Sequence, residues 1–158
     1  MEAVKTVSYT DVSAQTPITG TFVCTGNTCR SPMAAAVLNH LGKGRYKALS
    51  AGISAVTGEP ISENSVLALE KARIPCTPEN DYARHRALQI CEEIVERSDK
   101  VVAISKSHMM ALICAFPQYA DKITVMPRDI PDPFMQGAAV YEKCLESITE
   151  CIKESFLL

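Results

Sequence analysis

The chain has 158 residues, 47% of them hydrophobic, with a formal net charge of −2. That length suits one domain with one sizeable core, and the charge gives no general attraction to nucleic acid or to an anionic membrane. No apolar run approaches the roughly 20 residues that span a bilayer, and residues 1–19 lack the basic start and apolar stretch of a signal peptide, so a cytoplasmic protein with neither a nucleic-acid nor a membrane partner is expected.

Residues 1–19, rich in Ser, Thr, Val and Ala, show no sustained period and are expected to form an N-terminal extension to a domain over 20–158. A strand is expected at about Thr21 to Val23. Ser31-Pro32 resembles a helix start, with a Ser cap and Pro at the first helical position, and Gly42 is placed to stop that helix after Leu41. YKALS (46–50) suggests a second strand, and 61–73 a helix ending before Pro75. Over 86–98, Leu88, Cys91, Ile94 and Val95 fit a helical stripe. KVVAIS (100–105) is a continuous apolar strand of the kind parallel sheets require. A helix over 107–116 and a fourth strand ITVM (123–126) follow. Val140, Cys144, Ile148, Ile152 and Phe156 recur at intervals of four, one face of a C-terminal helix. Strands alternating with helices predict a single α/β domain: a four-stranded parallel sheet, helices on both faces, right-handed crossovers. There is no internal repeat.

Seven Cys is an odd number, without the spacing of a secreted disulfide framework. Cys24 and Cys29 lack a second close Cys/His pair, and His40, His85 and His108 are scattered, so no metal site is expected. Cys76, Cys114, Cys144 and Cys151 are expected to be small buried hydrophobes. Neither His40 nor His85 is assigned a role.

The chain holds two segments with the same Cys-to-Arg spacing, CTGNTCRS (24–31) and CEEIVERS (91–98). Seven Cys and seven Arg in this length give roughly 0.3 such spacings by chance. The second segment falls within a helical stripe, lacks Gly and carries three carboxylates; a helix interior has no free amides for an anion. It is expected to be a solvated helix with Cys91 toward the core. The first lies between a strand and a helix N-terminus, where open α/β sheets bind ligands. Gly26 permits backbone torsions other residues avoid. Successive amides of such a loop can form a nest, and the next helix adds its positive end. That field favours a thiolate at Cys24, and Arg30 brings a planar fork for two phosphoryl oxygens. Asn27 is a plausible brace and the Ser31 hydroxyl a donor to the thiolate. Residues Thr25, Gly26, Asn27, Thr28, Cys29, Arg30 and Ser31 thus form an expected phosphate-binding loop after the first strand, with Cys24 as nucleophile at its base.

Attack on phosphorus also needs an acid for the leaving group. DIPDPFMQG (129–137) supplies Asp132, whose loop is stiffened by Pro131 and Pro133 and follows the fourth strand. Asp129 is the alternative acid.

Together these segments resemble the low-molecular-weight protein phosphatases, whose pattern C-x-G-N-x-C-R-S-P between strand and helix, with a distant D-P-[FY], matches VCTGNTCRSP and Asp132-Pro133-Phe134. The resemblance covers about residues 20–158. Ser50-Ala51-Gly52 matches the family's S-A-G, and RHRALQI (84–90) resembles its H-R-A-R-Q-L, with Leu88 where Arg is usual. The resemblance implies a phosphocysteine on Cys24, a phosphoryl group held by Arg30 and the loop amides, and Asp132 as acid and then as base for water. It implies that Cys29 can close a reversible disulfide with the nucleophile, that the partner is a phosphorylated protein with phosphate or another oxyanion in the site, and that no metal or organic cofactor takes part.

Two departures bear on substrate, which is expected to contact Thr28 and Phe134. There is no Trp; Ile53 to Val56 occupies the region where tyrosine-specific members place aromatics, and Met135 follows Phe134. Thr28 stands where Ile is usual, which resembles the protein arginine phosphatase branch, as do Ser105 and His108 in ISKSH; a strand-end cap and an ordinary helix residue are the plainer readings of that pair. Phosphoarginine is slightly favoured over phosphotyrosine. The alternative function is a thioredoxin-coupled arsenate reductase of the same fold, against which Cys76 and Cys91 lie too far apart for its relay and Pro32 replaces a usual Gln.

Overall fold

The computed structural model describes residues 16–158. Most of the expected extension, 1–19, lies outside them, while Ile18 and Thr19 already belong to the first strand. Four strands, β1 (Ile18–Cys24), β2 (Tyr46–Gly52), β3 (Lys100–Ala103) and β4 (Ile123–Val125), form one sheet in the order β2-β1-β3-β4. Every pairing is parallel. The helices are α1 (Arg30–Leu41), α2 (Glu63–Lys71), α3 (Glu92–Arg97), α4 (Lys106–Ala115) and α5 (Ala138–Phe156), with short 3-10 turns at Tyr82–Arg84 and Pro117–Lys122.

Alternation along the central strands divides the core in two. Phe22 and Val102 pack with α1, α2 and α5 on one face, whereas Val23, Val101 and Ala103 meet Val95 and Leu112 on the other. Both faces are covered, so β1 and β3 carry apolar side chains at successive positions. α5 buries Cys144, Ile148, Ile152 and Phe156 as its period of four requires; Val140, at its start, stays 43% exposed. On the outer edge of β2 the Asn39 side chain of α1 accepts from the Ala48 N–H at 2.8 Å and donates to the Ala48 carbonyl at 3.2 Å.

Several expectations need correction. The helix expected over 86–98 covers only Glu92–Arg97, with Cys91 as its N-cap. Residues 87–90 are instead extended: Ala87 N–H bonds Glu59 O, Gly52 N–H bonds Leu88 O, and Ile90 N–H bonds Gly52 O. Leu88 and Cys91 are exposed, so of the stripe only Val95 is fully buried. Cys76 and Cys114 are exposed as well; Cys144 and Cys151 are buried. Ser31 is not the cap of α1, which begins at Arg30 with Cys29 as N-cap. Pro32 still lies in the first turn, where helix N–H groups have no intrahelical acceptor.

Because the chain steps from β1 to β2 on one side and reaches β3 on the other, the strand order reverses at the C-terminal end of β1. That is where open α/β sheets leave a crevice for ligands, and it is where Cys24 stands.

Candidate active site

The loop from Cys24 to Arg30 is fastened at its centre by Asn27. This residue is fully buried and has φ of 60°, in the left-handed region that Asn tolerates better than most residues. Gly26 does not have a positive φ; the unusual torsion belongs to its neighbour. The Asn27 amide donates to Ser31 Oγ at 2.8 Å and to Ser50 Oγ at 3.0 Å, while its Oδ1 accepts from Leu88 N–H at 2.9 Å. The His85 ring bonds the Asn27 carbonyl at 2.7 Å. One side chain thereby joins the loop, the start of α1, the end of β2 and the extended segment at 85–88. Burial holds the His85 pKa below its ordinary value, against the opposing effect of that carbonyl.

Cys24 Sγ lies 3.0 Å from Ser31 Oγ. The Asn27 N–H points at that oxygen, which leaves the Ser31 hydrogen two acceptors, the Ala51 carbonyl at 3.4 Å and the nearer sulfur; turned to the sulfur it has the polarity a thiolate requires. Gly52 has a packing reason to be Gly: a Cβ there would lie 2.6 Å from Thr25 O and 3.1 Å from Asn27 Cβ.

Arg30 is 7% exposed; its Nη1 donates to Ile130 O at 3.0 Å, and its Nη2 lies 3.5 Å from Asp132 Oδ2. The guanidinium thus ties the first loop to the 129–134 loop. Asp132 Oδ1 accepts from Phe134 N–H at 3.1 Å, an Asx turn that fixes the carboxylate's direction. Asp129, the alternative acid, bonds Lys106 N–H at 2.9 Å at the start of α4 and does not line the cavity. A cavity of about 220 Å³ is bounded by residues 24–30, Glu59, Asp132 and Phe134. Every expected catalytic, phosphate-loop and pocket residue therefore lines it except Ser31, which lies beneath the Cys24 sulfur.

A thiol, a guanidinium and a carboxylate converge on a loop at the C-terminal edge of a parallel sheet, and the model for "low molecular weight phosphotyrosine protein phosphatase" matches residues 20–156. The chain belongs to that family. A protein-arginine-phosphatase from Geobacillus stearothermophilus is 32% identical over 138 residues, 83% of this chain and 88% of that protein. A probable low molecular weight protein-tyrosine-phosphatase from Ralstonia nicotianae is 30% identical over 130 residues, 80% of this chain and 85% of its own length. The crystal structure of a low molecular weight protein tyrosine phosphatase from T. tengcongensis superposes with a TM-score of 0.80 at 35% identity, covering 89% of this chain and 98% of the other. The protein is accordingly a hydrolase, a phosphatase acting on phosphoproteins; the arsenate reductase alternative is not favoured, since these relatives are phosphatases.

Within this phosphatase fold the other residues around the loop find places. His85 and Ser50 hold Asn27. His108, at the start of α4, is 6% exposed, with Nε2 2.9 Å from Thr25 Oγ1. Ser105 is the N-cap of α4 but makes no side-chain cap bond. Cys29 is buried, its sulfur 3.3 Å from Tyr141 Oη and 3.5 Å from Ser62 Oγ. Burial, with the Cys29 contact second, pushes the Tyr141 hydroxyl up to about 12, and burial pushes the Cys144 thiol up to about 12. Residues 53–56 do not line the cavity; Glu59, which no sequence signal marked, does. Among the described residues no group of three or more His, Cys, Asp or Glu is arranged to hold a metal ion, and no helix is long and apolar enough to cross a membrane.

Proposed function

We propose that Cys24 is the nucleophile, that Arg30 and the amides of Thr25 to Ser31 hold the phosphoryl group, and that Asp132 is the general acid and then the general base. The observation that carries this is the shared cavity of Cys24, Arg30 and Asp132, drawn from opposite ends of the chain. The Cys24 thiolate attacks phosphorus, forming an S–P bond as the bond to the leaving atom breaks, and Asp132 protonates that atom. Asp132 then takes a proton from water, whose oxygen attacks phosphorus; the S–P bond breaks and phosphate leaves. The Ser31 hydroxyl stabilises the departing thiolate. The catalytic unit spans 18–158, since β1 begins at Ile18, and a reducing, cytoplasmic compartment suits a thiolate nucleophile. Cys29 serves as the resolving thiol: a sulfenic acid on Cys24 condenses with it to a disulfide and water.

The preferred substrate in this reading is phosphoarginine. The cavity is lined by two carboxylates, Asp132 and Glu59, against one guanidinium, Arg30. An anion site with a surplus of carboxylates suits a substrate carrying positive charge next to its phosphoryl group, as a phosphorylated guanidinium does. Thr28, half-buried in the wall, adds a hydroxyl where an apolar side chain would favour a ring. Phosphotyrosine is the second reading, supported by Phe134, 59% exposed at the mouth. The test is kcat/KM on phosphoarginine and phosphotyrosine peptides. Thr28→Ile is expected to move the ratio toward tyrosine by about 1–3 kcal/mol, and Glu59→Gln by up to about 1 kcal/mol, the usual ceiling for an exposed ion pair. A parent enzyme that prefers phosphotyrosine refutes the arginine assignment.

A further inference from the structure

His108 is a buried ionisable side chain with no part in the steps above. Its Nε2 lies 2.9 Å from Thr25 Oγ1, and its Nδ1 is buried with no hydrogen-bond partner among the described residues. Thr25 follows the Cys24 residue directly, is exposed and lines the cavity, and its hydroxyl has no other partner among the described residues. The orphan nitrogen decides the tautomer. A buried N–H without an acceptor costs more than a buried lone pair without a donor, so the proton belongs on Nε2 and Nδ1 stays bare. Burial and the Arg30 charge, opposed by Asp132 and Asp129, hold the His108 pKa below its ordinary value, consistent with a neutral ring.

With Nε2–H donating, Thr25 Oγ1 accepts, and the Thr25 hydrogen is turned away from the imidazole. We propose that His108 is a positioning residue that aims the Thr25 hydroxyl into the cavity as a donor to a phosphoryl oxygen. The proposal rests on the reading of this cavity as the phosphoryl site. It adds a side-chain donor to the backbone amides and to Arg30, and it makes the geometry of the phosphate loop depend on the start of α4, an element that otherwise stands outside the site.

The experiment measures the inhibition constant of inorganic phosphate against hydrolysis of an aryl phosphate, with thermal melting of each variant. His108→Ala and Thr25→Val are each expected to raise that constant about fivefold, the worth of one hydrogen bond to an anion. The double variant is expected to match the singles, since both remove the same bond. His108→Gln, whose amide N–H can reach the same hydroxyl, is expected to stay within about twofold of the parent. If His108→Ala fails to melt cooperatively, Thr25→Val is instead compared with and without His108→Gln, and equal constants are expected. Effects that multiply in the double variant, a Gln variant as weak as the Ala variant, or unchanged constants overturn the proposal and leave the proposed function intact. A parent enzyme that phosphate does not inhibit overturns both.

Discussion

Asn27 concentrates more of the site's architecture than any other loop residue, and its replacement has a calculable effect. Asn27→Gly keeps the freedom to adopt φ of 60° but removes three side-chain hydrogen bonds, to Ser31, Ser50 and Leu88. Each is worth about 0.5–1.5 kcal/mol net, so a loss of roughly 3 kcal/mol is expected, less whatever water restores to the half-buried Leu88 amide. Asn27→Ala loses the same bonds and adds left-handed strain of about 1 kcal/mol; Gly carries a comparable unfolded-chain entropy penalty of roughly 0.4–1 kcal/mol. The two variants are therefore expected within about 1 kcal/mol of each other. Both are expected to lose activity beyond their loss of stability, because Ser31 no longer receives the N–H that holds its oxygen beside Cys24. Urea denaturation gives the stability, and kcat/KM on an aryl phosphate below the transition gives the activity. A loss under about 1 kcal/mol in both variants, against the bond values above, would show that the network is a geometric coincidence and not a brace.

Cys24→Ser is expected to abolish turnover while phosphate still binds, and Cys91→Ser to leave activity unchanged; the reverse outcome would transfer the chemistry to the other Cys-Arg segment. Asp132→Ala is expected to lower kcat by about two orders of magnitude on poor leaving groups and less on an activated aryl phosphate, and equal losses on both would assign Asp132 a structural role. Gly52→Ala places a Cβ 2.6 Å from Thr25 O, so the loop must shift, with a loss of about 1–3 kcal/mol visible by denaturation; a fully stable variant refutes the close approach. His85 and His108 both have pKa values lowered from about 6.5 in the fold. The unfolded chain binds protons first as pH falls through that value, so stability is expected to be full above it and to decline on acidification. Replacing either histidine should shallow the decline between pH 7.5 and 5.5, and an unaltered slope would count against burial as its cause. Cys29→Ser is expected to keep its activity in reducing buffer but to recover less completely with thiol after peroxide, and equal recovery removes the resolving role.

Much of this arrangement is legible in the amino-acid order because the decisive signals are local. The apolar run into Cys24, the Ser-Pro after Arg30 and the four-residue rhythm of 144–156 each fix an element from neighbours alone. The second Cys-Arg segment was separable from the first for the same reason. Local spacing misleads where tertiary pairing overrides it. Leu88, Cys91, Ile94 and Val95 have helical spacing, yet 87–90 is drawn out by backbone bonds to Gly52 and Glu59, partners that no window of sequence contains. At Gly26-Asn27 either residue could take the left-handed torsion; the partners of the Asn27 side chain select it. His85 and Glu59 reach the site from separate segments, and isolated residues carry no periodic signal to announce them; His108 is marked only by the likeness of ISKSH to the arginine phosphatase branch.

The Asn39 amide on the rim of β2 has a consequence for how this molecule behaves in a crowd. An outer strand presents open peptide groups that another chain can copy onto, the first step of edge-to-edge aggregation. Asn39 engages both polar groups of Ala48 as a neighbouring backbone would. An incoming strand must displace that amide before it can pair at Ala48, the third residue of the seven-residue strand. The helix that leaves the Cys24–Arg30 loop at one end thus protects the sheet from self-association near the other.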